Sequence, residues 1–187
     1  MLKSFIFVFM SLVLSEVSFA QQGAAKAFVS LNPAGDFVAN LKAKGSAQQT
    51  GTKVSAKNIV VDMKSLATGL DLRDDHAKNK YLEVNKYPEA ILTEATGENG
   101  KGQGKLKWRD KENPVSGTYK VQGKNLIAEF KIKLSEYGIT SISYKGIGVE
   151  DDVKLEVQVP ITVAATAAAK GAKPVAPTAN STQPIKK

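Results

Sequence analysis

The chain has no cysteine and one histidine among its 187 residues. Without cysteine there is no disulfide, no thiolate nucleophile and no zinc site of the Cys type. With His76 alone, a metal would have to rest on carboxylates, and Asp71, Asp74 and Asp75 lack the spacing and glycine of a calcium loop. Nucleophilic catalysis needs a base held by a third group, and no G-x-S-x-G elbow precedes a helix. The run Gly97, Gly100, Gly102, Gly104, Lys105 has Leu106 where a phosphate loop needs Ser or Thr, and no helix follows. It reads as a hairpin with Asn99-Gly100 as the turn pair. A lysine block of the kind that makes a nucleic-acid groove is also missing.

The two ends differ in composition from the middle. "MLKSFIFVFMSLVLSEVSFA" has Lys3, an apolar core from Phe5 to Leu14 and then Ser18-Phe19-Ala20. A basic start, a short apolar run and small residues before the cut read as a secretory signal peptide, residues 1–20, cleaved after Ala20. The core is shorter than the ~20 residues of a comfortable membrane span. The expected location is periplasmic or secreted. Residues 164–187 are Ala, Pro, Lys and Thr with almost nothing to bury and read as a disordered tail. Its lysines carry +4 of the net +8, Lys3 and Glu16 cancel, and +4 stays with the domain at 21–163. That balance predicts no nucleic-acid partner and at most a weak contact of the tail with an anionic surface.

The domain reads as strands. Val153, Leu155, Val157, Val159, Ile161 and Val163 alternate with polar residues, as a half-buried strand requires. Pro160 places that stretch near an edge or a strand end. Leu126, Ala128, Phe130, Ile132 and Leu134 alternate likewise, as do Phe37, Ala39, Leu41 and Ala43, with Ile127 and Val38 as exceptions. Turn signals divide the rest into strands at 26–31, 36–44, 53–64, 89–96, 104–109, 115–121, 125–134 and 153–163. "GSAQQTG" and "DKENP" are read as connections. Eight strands joined mostly by short turns predict an all-β fold, an antiparallel barrel. A closed barrel of that size is filled by side chains or holds one small ligand, as in lipocalins, and it has no exposed edges.

One connection is long. Leu70 to Lys80 has no period-2 alternation and predicts a short helix near Leu72–Asn79 with Asp71 as N-cap, before Tyr87-Pro88 restarts extended chain. Arg73 and His76, one turn apart, share a face, which suits a cover over a barrel mouth. "SLATGLDLRDDHAKNKYLEVNKYPEAIL", residues 65–92, resembles the signature of the YceI-like family of exported, lipocalin-like polyisoprenoid-binding proteins. The shared features are Ser65-Leu66-x-Thr68-Gly69, Arg73-Asp74-x-His76, Tyr81-Leu82-Glu83-Val84 and Lys86-Tyr87-Pro88. "LSEYGI" at 134–139 and "GVEDDVKLEV" at 148–157 are similar to two further family motifs, in the same order. "FVSLNPAGDFVANLKAKGS" departs from the family near its start, where an aromatic and His-Ser pattern is usual.

The resemblance implies a non-enzymatic barrel that holds an isoprenoid-type or other long-chain lipid; from the residues themselves no cofactor and no metal are expected. From the alternation, the expected apolar lining is Phe37, Leu41, Val61, Leu92, Leu106, Trp108, Phe130, Ile132, Leu155 and Val157. Arg73 and His76 are the candidates for a head-group contact or the barrel mouth. Two other readings stand beside it: a lipid-modifying enzyme with His76 as base, and an interaction module with a solid core.

Overall fold

The computed structural model describes residues 22–164 apart from 34 and 145, so the signal peptide and nearly all of the tail expected from the sequence lie outside the described residues. No helix among the described residues is long and apolar enough to cross a membrane. The chain runs β1 (Gln22–Asn32), β2 (Asp36–Lys44), β3 (Ala47–Thr50), β4 (Lys53–Ala67), α1 (Asp71–Asp75), β5 (Glu89–Glu98), β6 (Lys101–Trp108), β7 (Lys111–Gln122), β8 (Asn125–Lys133), β9 (Ser143–Tyr144), β10 (Ile147–Val149) and β11 (Asp152–Val163). Eight of these strands form a ring in the order β11-β8-β7-β6-β5-β4-β2-β1, closed by the antiparallel β1–β11 pair from Ala24↔Gln158 to Phe28↔Lys154. This is the eight-stranded antiparallel barrel expected from the alternation, with one short helix in its long connection.

Alternation sets the inner face, and the exceptions have local causes. Asn99 and Gly100 both take positive φ between β5 and β6, the geometry of a two-residue hairpin turn whose twist matches the strands. β5 and β6 therefore run right up to that pair, further than the glycine run suggests. "GSAQQTG" is not a plain connection: residues 47–50 form β3, which lies parallel to β11 at Ile161↔Ala47 and antiparallel to β4 at Ala47↔Ala56. Four residues with a Gln-Gln pair carry too little pattern to announce a strand, yet Ala47 is wholly buried between its two neighbours. Pro160 sits where β11 passes from β1, whose last pair is Ala24↔Gln158, to β3, whose first is Ile161↔Ala47. A missing N–H is least harmful in such a gap. Val163 is largely exposed, because β11 has by then run past the ring.

"DKENP" is likewise strand rather than loop. The turn is Arg109-Asp110, both at positive φ, and β7 starts at Lys111. Pro114 pairs with Lys105 of β6, while β8 joins β7 only from Gly117 onward, so the proline stands where β7 lacks its second neighbour.

β4 carries the largest irregularity. Its register against β2 jumps from Asn40↔Ala67 to Lys42↔Asp62. The extra residues bulge, and Ser65 pins them: its hydroxyl accepts from the Lys42 N–H at 2.7 Å and donates to the Asp62 carbonyl at 2.5 Å. The bulge buries both Met63 and Leu66, which simple alternation would separate.

Candidate functional site

The motif at residues 65–92 folds into a clasp across one end of the barrel. Leu66 anchors it in the core. Gly69 takes φ +81°, a left-handed turn that suits glycine and leads into α1. Asp71 is not the N-cap expected from the sequence; it is the first helical residue, Leu70 precedes it, and no side chain caps the end. The carboxylate that holds the helix start is Asp74, whose Oδ1 accepts from the Thr68 N–H at 2.8 Å and the Thr68 hydroxyl at 2.6 Å. The helix begins one residue earlier than expected, then widens into π-type turns over His76–Tyr81.

The far half of the clasp is tied down by Arg109 from the β6–β7 turn. Its Nη1 donates to the Tyr81 carbonyl at 2.9 Å, its Nη2 to the Glu83 carboxylate, and its guanidinium lies 4.8 Å from the centre of the Tyr87 ring. The Tyr81 hydroxyl donates to the Ser143 carbonyl of β9 at 2.6 Å. Leu82 and Val84 are buried between these ties, and the Pro88 carbonyl accepts from Met63 N–H at the β4 bulge. "LSEYGI" is a 3-10 turn, Leu134–Tyr137, closed by Gly138 at φ +74°. Tyr137 is 1% exposed and packs on Trp108 with ring centres 5.7 Å apart. Burial raises its phenol pKa above the ordinary value. Asp151 accepts from the Ser135 N–H and hydroxyl, both at 2.7 Å, and these bonds hold its carboxyl below the ordinary range.

Beneath the clasp is a cavity of about 160 Å³. Phe37 and Leu41 of β2, Val61 of β4, Leu92 of β5, Leu106 and Trp108 of β6, Phe130 and Ile132 of β8, and Leu155 and Val157 of β11 all line it. The clasp adds Thr68, Ala77, Tyr81 and Leu82 as its roof. Arg73 stacks on the wall residue Phe37, its guanidinium carbon 4.3 Å from the ring centre, a favourable placement for a cation on an aromatic face. A charge thus stands at the edge of an otherwise apolar space. His76 follows one turn later, half-buried, with its N–H bonded back to Arg73 and Leu72 carbonyls.

The alternation did not point to Met63 and Leu66, whose faces depend on the bulge, nor to the roof. Ala25, Ala27 and Ala39 also line the cavity; Ala39 belongs to the alternating run of β2, whereas Ala25 and Ala27 stand among Ala24, Phe28 and Val29, where no polar alternation marks a face. The Trp108 indole N–H is buried without a hydrogen-bond partner among the described residues.

A YceI-like domain model matches residues 14–161. The chain belongs to the YceI-like family. The matched region includes residues 65–92, the stretch that resembles the family signature and that forms the clasp. Among solved structures, a polyisoprenoid binding domain from Saccharophagus degradans, implicated in plant cell wall breakdown, aligns at 12% identity with a TM-score of 0.50, covering 75% of this chain and 97% of that one. At that identity it shows a shared fold. BcnA of Burkholderia cenocepacia aligns at 16% identity and TM-score 0.41 over 75% of this chain and 94% of its own. The YceI protein of Campylobacter jejuni aligns at 17% and 0.41 over 84% and 96%. No match was found among curated proteins.

Proposed function

We propose that the domain is an exported, non-enzymatic binding protein that holds one long apolar lipid of isoprenoid type inside its barrel, for carriage, storage or sequestration. The observation that carries this is the cavity under the clasp, walled by apolar side chains of seven ring strands and roofed by the family signature. It is also what separates this reading from a solid-core interaction module. The Saccharophagus relative described as a polyisoprenoid binding domain supports the choice of ligand class. The signal-like segment at residues 1–20 supports export, and the domain then spans 21–163 with a polar tail behind it.

The ligand's chain lies along the barrel axis, and its head sits at the edge of the clasp near Arg73, a fixed charge with a planar donor fork. Each buried CH₂ contributes ~0.8 kcal/mol. A chain of several five-carbon units would on paper pass the practical affinity ceiling near −18 to −21 kcal/mol. Ordering a flexible chain removes much of that, but chain length remains the main selector and the head group secondary. Mass spectrometry of organic extracts from purified protein tests this. The expected result is one class of long-chain lipid near one per protein. The reading is overturned by a delipidated protein that binds prenyl compounds of no length, or one that binds them with no dependence on length.

A further inference from the structure

The barrel's charge is not spread evenly. Four turns form the end opposite the clasp. Within three residues of those at 51–52, 99–100 and 123–124 the charged side chains are Lys53, Lys101, Lys120 and Lys124, with Glu98 as the one acid. The turn at 45–46 adds Lys42 and Lys44 and no acid. Six lysines against one carboxylate exceed the +4 of the whole domain, so the remainder of the barrel is close to neutral. All six are exposed, and none makes an ion pair with a described residue. The Glu98 carboxylate accepts from the Thr52 hydroxyl at 2.8 Å instead. Elsewhere on the barrel, Lys26, Lys105, Lys133 and Lys154 are each paired with a carboxylate.

The turns form one face. Lys53 pairs with Glu98 across β4 and β5, and Lys101 pairs with Thr118, two residues before Lys120. The Tyr119 N–H donates to the Gly100 carbonyl at 2.9 Å. The chain also leaves the barrel here. The Ile161 N–H donates to the Lys124 carbonyl and the Ala164 N–H to the Gln49 carbonyl, both at 2.9 Å. The residues that follow carry Lys170, Lys173, Lys186 and Lys187 and no acid. Val121 and Val163, 42% and 73% exposed, stand at the rim of the same end.

We propose that this end, together with the tail, is a docking surface for an anionic lipid bilayer. The attachment does not depend on what the barrel holds. A lysine near such a surface strengthens binding about fivefold, an effect that fades within a Debye length. Four spread lysines on a tail contribute little alone, but a tether fixed beside a basic face raises the effective concentration of both. The exposed valines favour a bilayer over a polyanion in water, because aliphatic side chains gain at the headgroup and acyl boundary. Single-stranded nucleic acid would need aromatic platforms, and Tyr119, the ring nearest this face, lies against Gly97 in the interior.

The test is cosedimentation of the mature chain, tail included, with phosphatidylcholine vesicles that hold either no phosphatidylglycerol or about one-third. The wild type should bind the anionic vesicles at low salt, leave them at about 0.5 M salt, and ignore the neutral ones. Replacing Lys53, Lys101, Lys120 and Lys124 by Gln should weaken binding at least tenfold. Replacing the four tail lysines by Gln, which leaves the barrel sequence untouched, should weaken it at least threefold. Replacing Lys64, Lys107, Lys111 and Lys131 by Gln removes the same charge elsewhere and should change binding less than twofold. A folded end variant that binds as the wild type does, or a control variant that loses as much as the end variant, would overturn the proposal. So would equal binding to neutral vesicles, or binding to a soluble sulfated polysaccharide with none to the anionic vesicles.

Discussion

Arg109→Ala measures whether the signature acts as a clasp. The substitution removes three contacts: the bond to the Tyr81 carbonyl at 2.9 Å, the pair with Glu83, and the stacking on Tyr87 at 4.8 Å. The Arg109 side chain is only 12% exposed, but that of Glu83 is 42% exposed. Water can therefore replace the guanidinium at Glu83, and that pair belongs near the surface value of about 0–1 kcal/mol. The bond from a charged donor to the carbonyl contributes about 1.5 kcal/mol, and the stacking about 0.5. Contacts that share one side chain are not additive, so the expected loss is about 2 kcal/mol. For a domain of this size that lowers the thermal midpoint by roughly 4–8 °C. Arg109 also holds φ +50°, which glycine tolerates better than alanine. Arg109→Gly should thus lose the same contacts and be less damaging than Arg109→Ala by about 0.5–1 kcal/mol. Arg109→Lys keeps charge without the planar fork and should recover less than half. A double cycle with Glu83→Gln, read by urea unfolding, should give a coupling of about 0.5–1 kcal/mol. An Arg109→Ala protein that melts within a degree of the wild type would refute the clasp.

Asp74→Ala removes the acceptor of both Thr68 donors and should cost about 1–2 kcal/mol by urea unfolding, with Asp74→Asn recovering about half. Tyr137→Phe should lie within about 0.5 kcal/mol of wild type, since its bond to the Leu106 carbonyl is long at 3.5 Å, whereas Tyr137→Ala should cost about 3–5 by emptying a core site. Asp151 binds its proton more weakly folded than unfolded, so its contribution is fully present above its ordinary value of 3.8 and lost as pH falls through its lower native value; Asp151→Asn should remove that part of the acid sensitivity, read from thermal midpoints across pH 2–5. If a lipid head sits by the clasp, Arg73→Ala should weaken binding of an anionic prenyl compound more than His76→Ala does, and His76→Ala should cost no more than about 1 kcal/mol of stability; a turnover of any lipid substrate that vanishes in His76→Ala would favour the enzyme reading instead.

The parts of the fold that were legible are those where one residue's environment depends on its own strand. Phe130 and Ile132 face inward because β8 is regular, and all ten residues chosen by alternation line the cavity under the clasp. The misreadings share a cause. β3 is a strand because β1 has left one edge of β11 after Gln158 and β2 has left one edge of β4 before Val60, and residues 47–50 pair with both freed edges. The β4 bulge depends on a serine hydroxyl reaching β2. Asp74, not Asp71, holds the helix start because Thr68, six residues earlier, turns back to it. None of these is visible to a rule about period, since each is a bond to another element. Ser65, Thr68 and Asp74 all fall in the stretch at 65–92 that resembles the family signature, whereas β3 lies outside it.

Cavity volume lies one step further from the sequence. Alternation tells which side chains point inward, but the room they leave depends on which of them meet across the ring. Gly97 and Gly102 are close in sequence and would be read as turn glycines; Gly117 looks like an isolated strand glycine. Only the register that sets Gly97 against Gly102 and Gly102 against Gly117 makes them one bare patch. The same register sets Gly117 against Phe130, so a large ring that lines the cavity under the clasp stands directly beside the bare patch. A glycine in a strand weakens it and gives nothing to pack, and three in a row across neighbouring strands raise that cost together. Part of that cost is met within the barrel itself: the Tyr119 ring fills the room beside Gly97, and at Gly117 a Cβ would collide with the Glu129 carbonyl of the neighbouring strand.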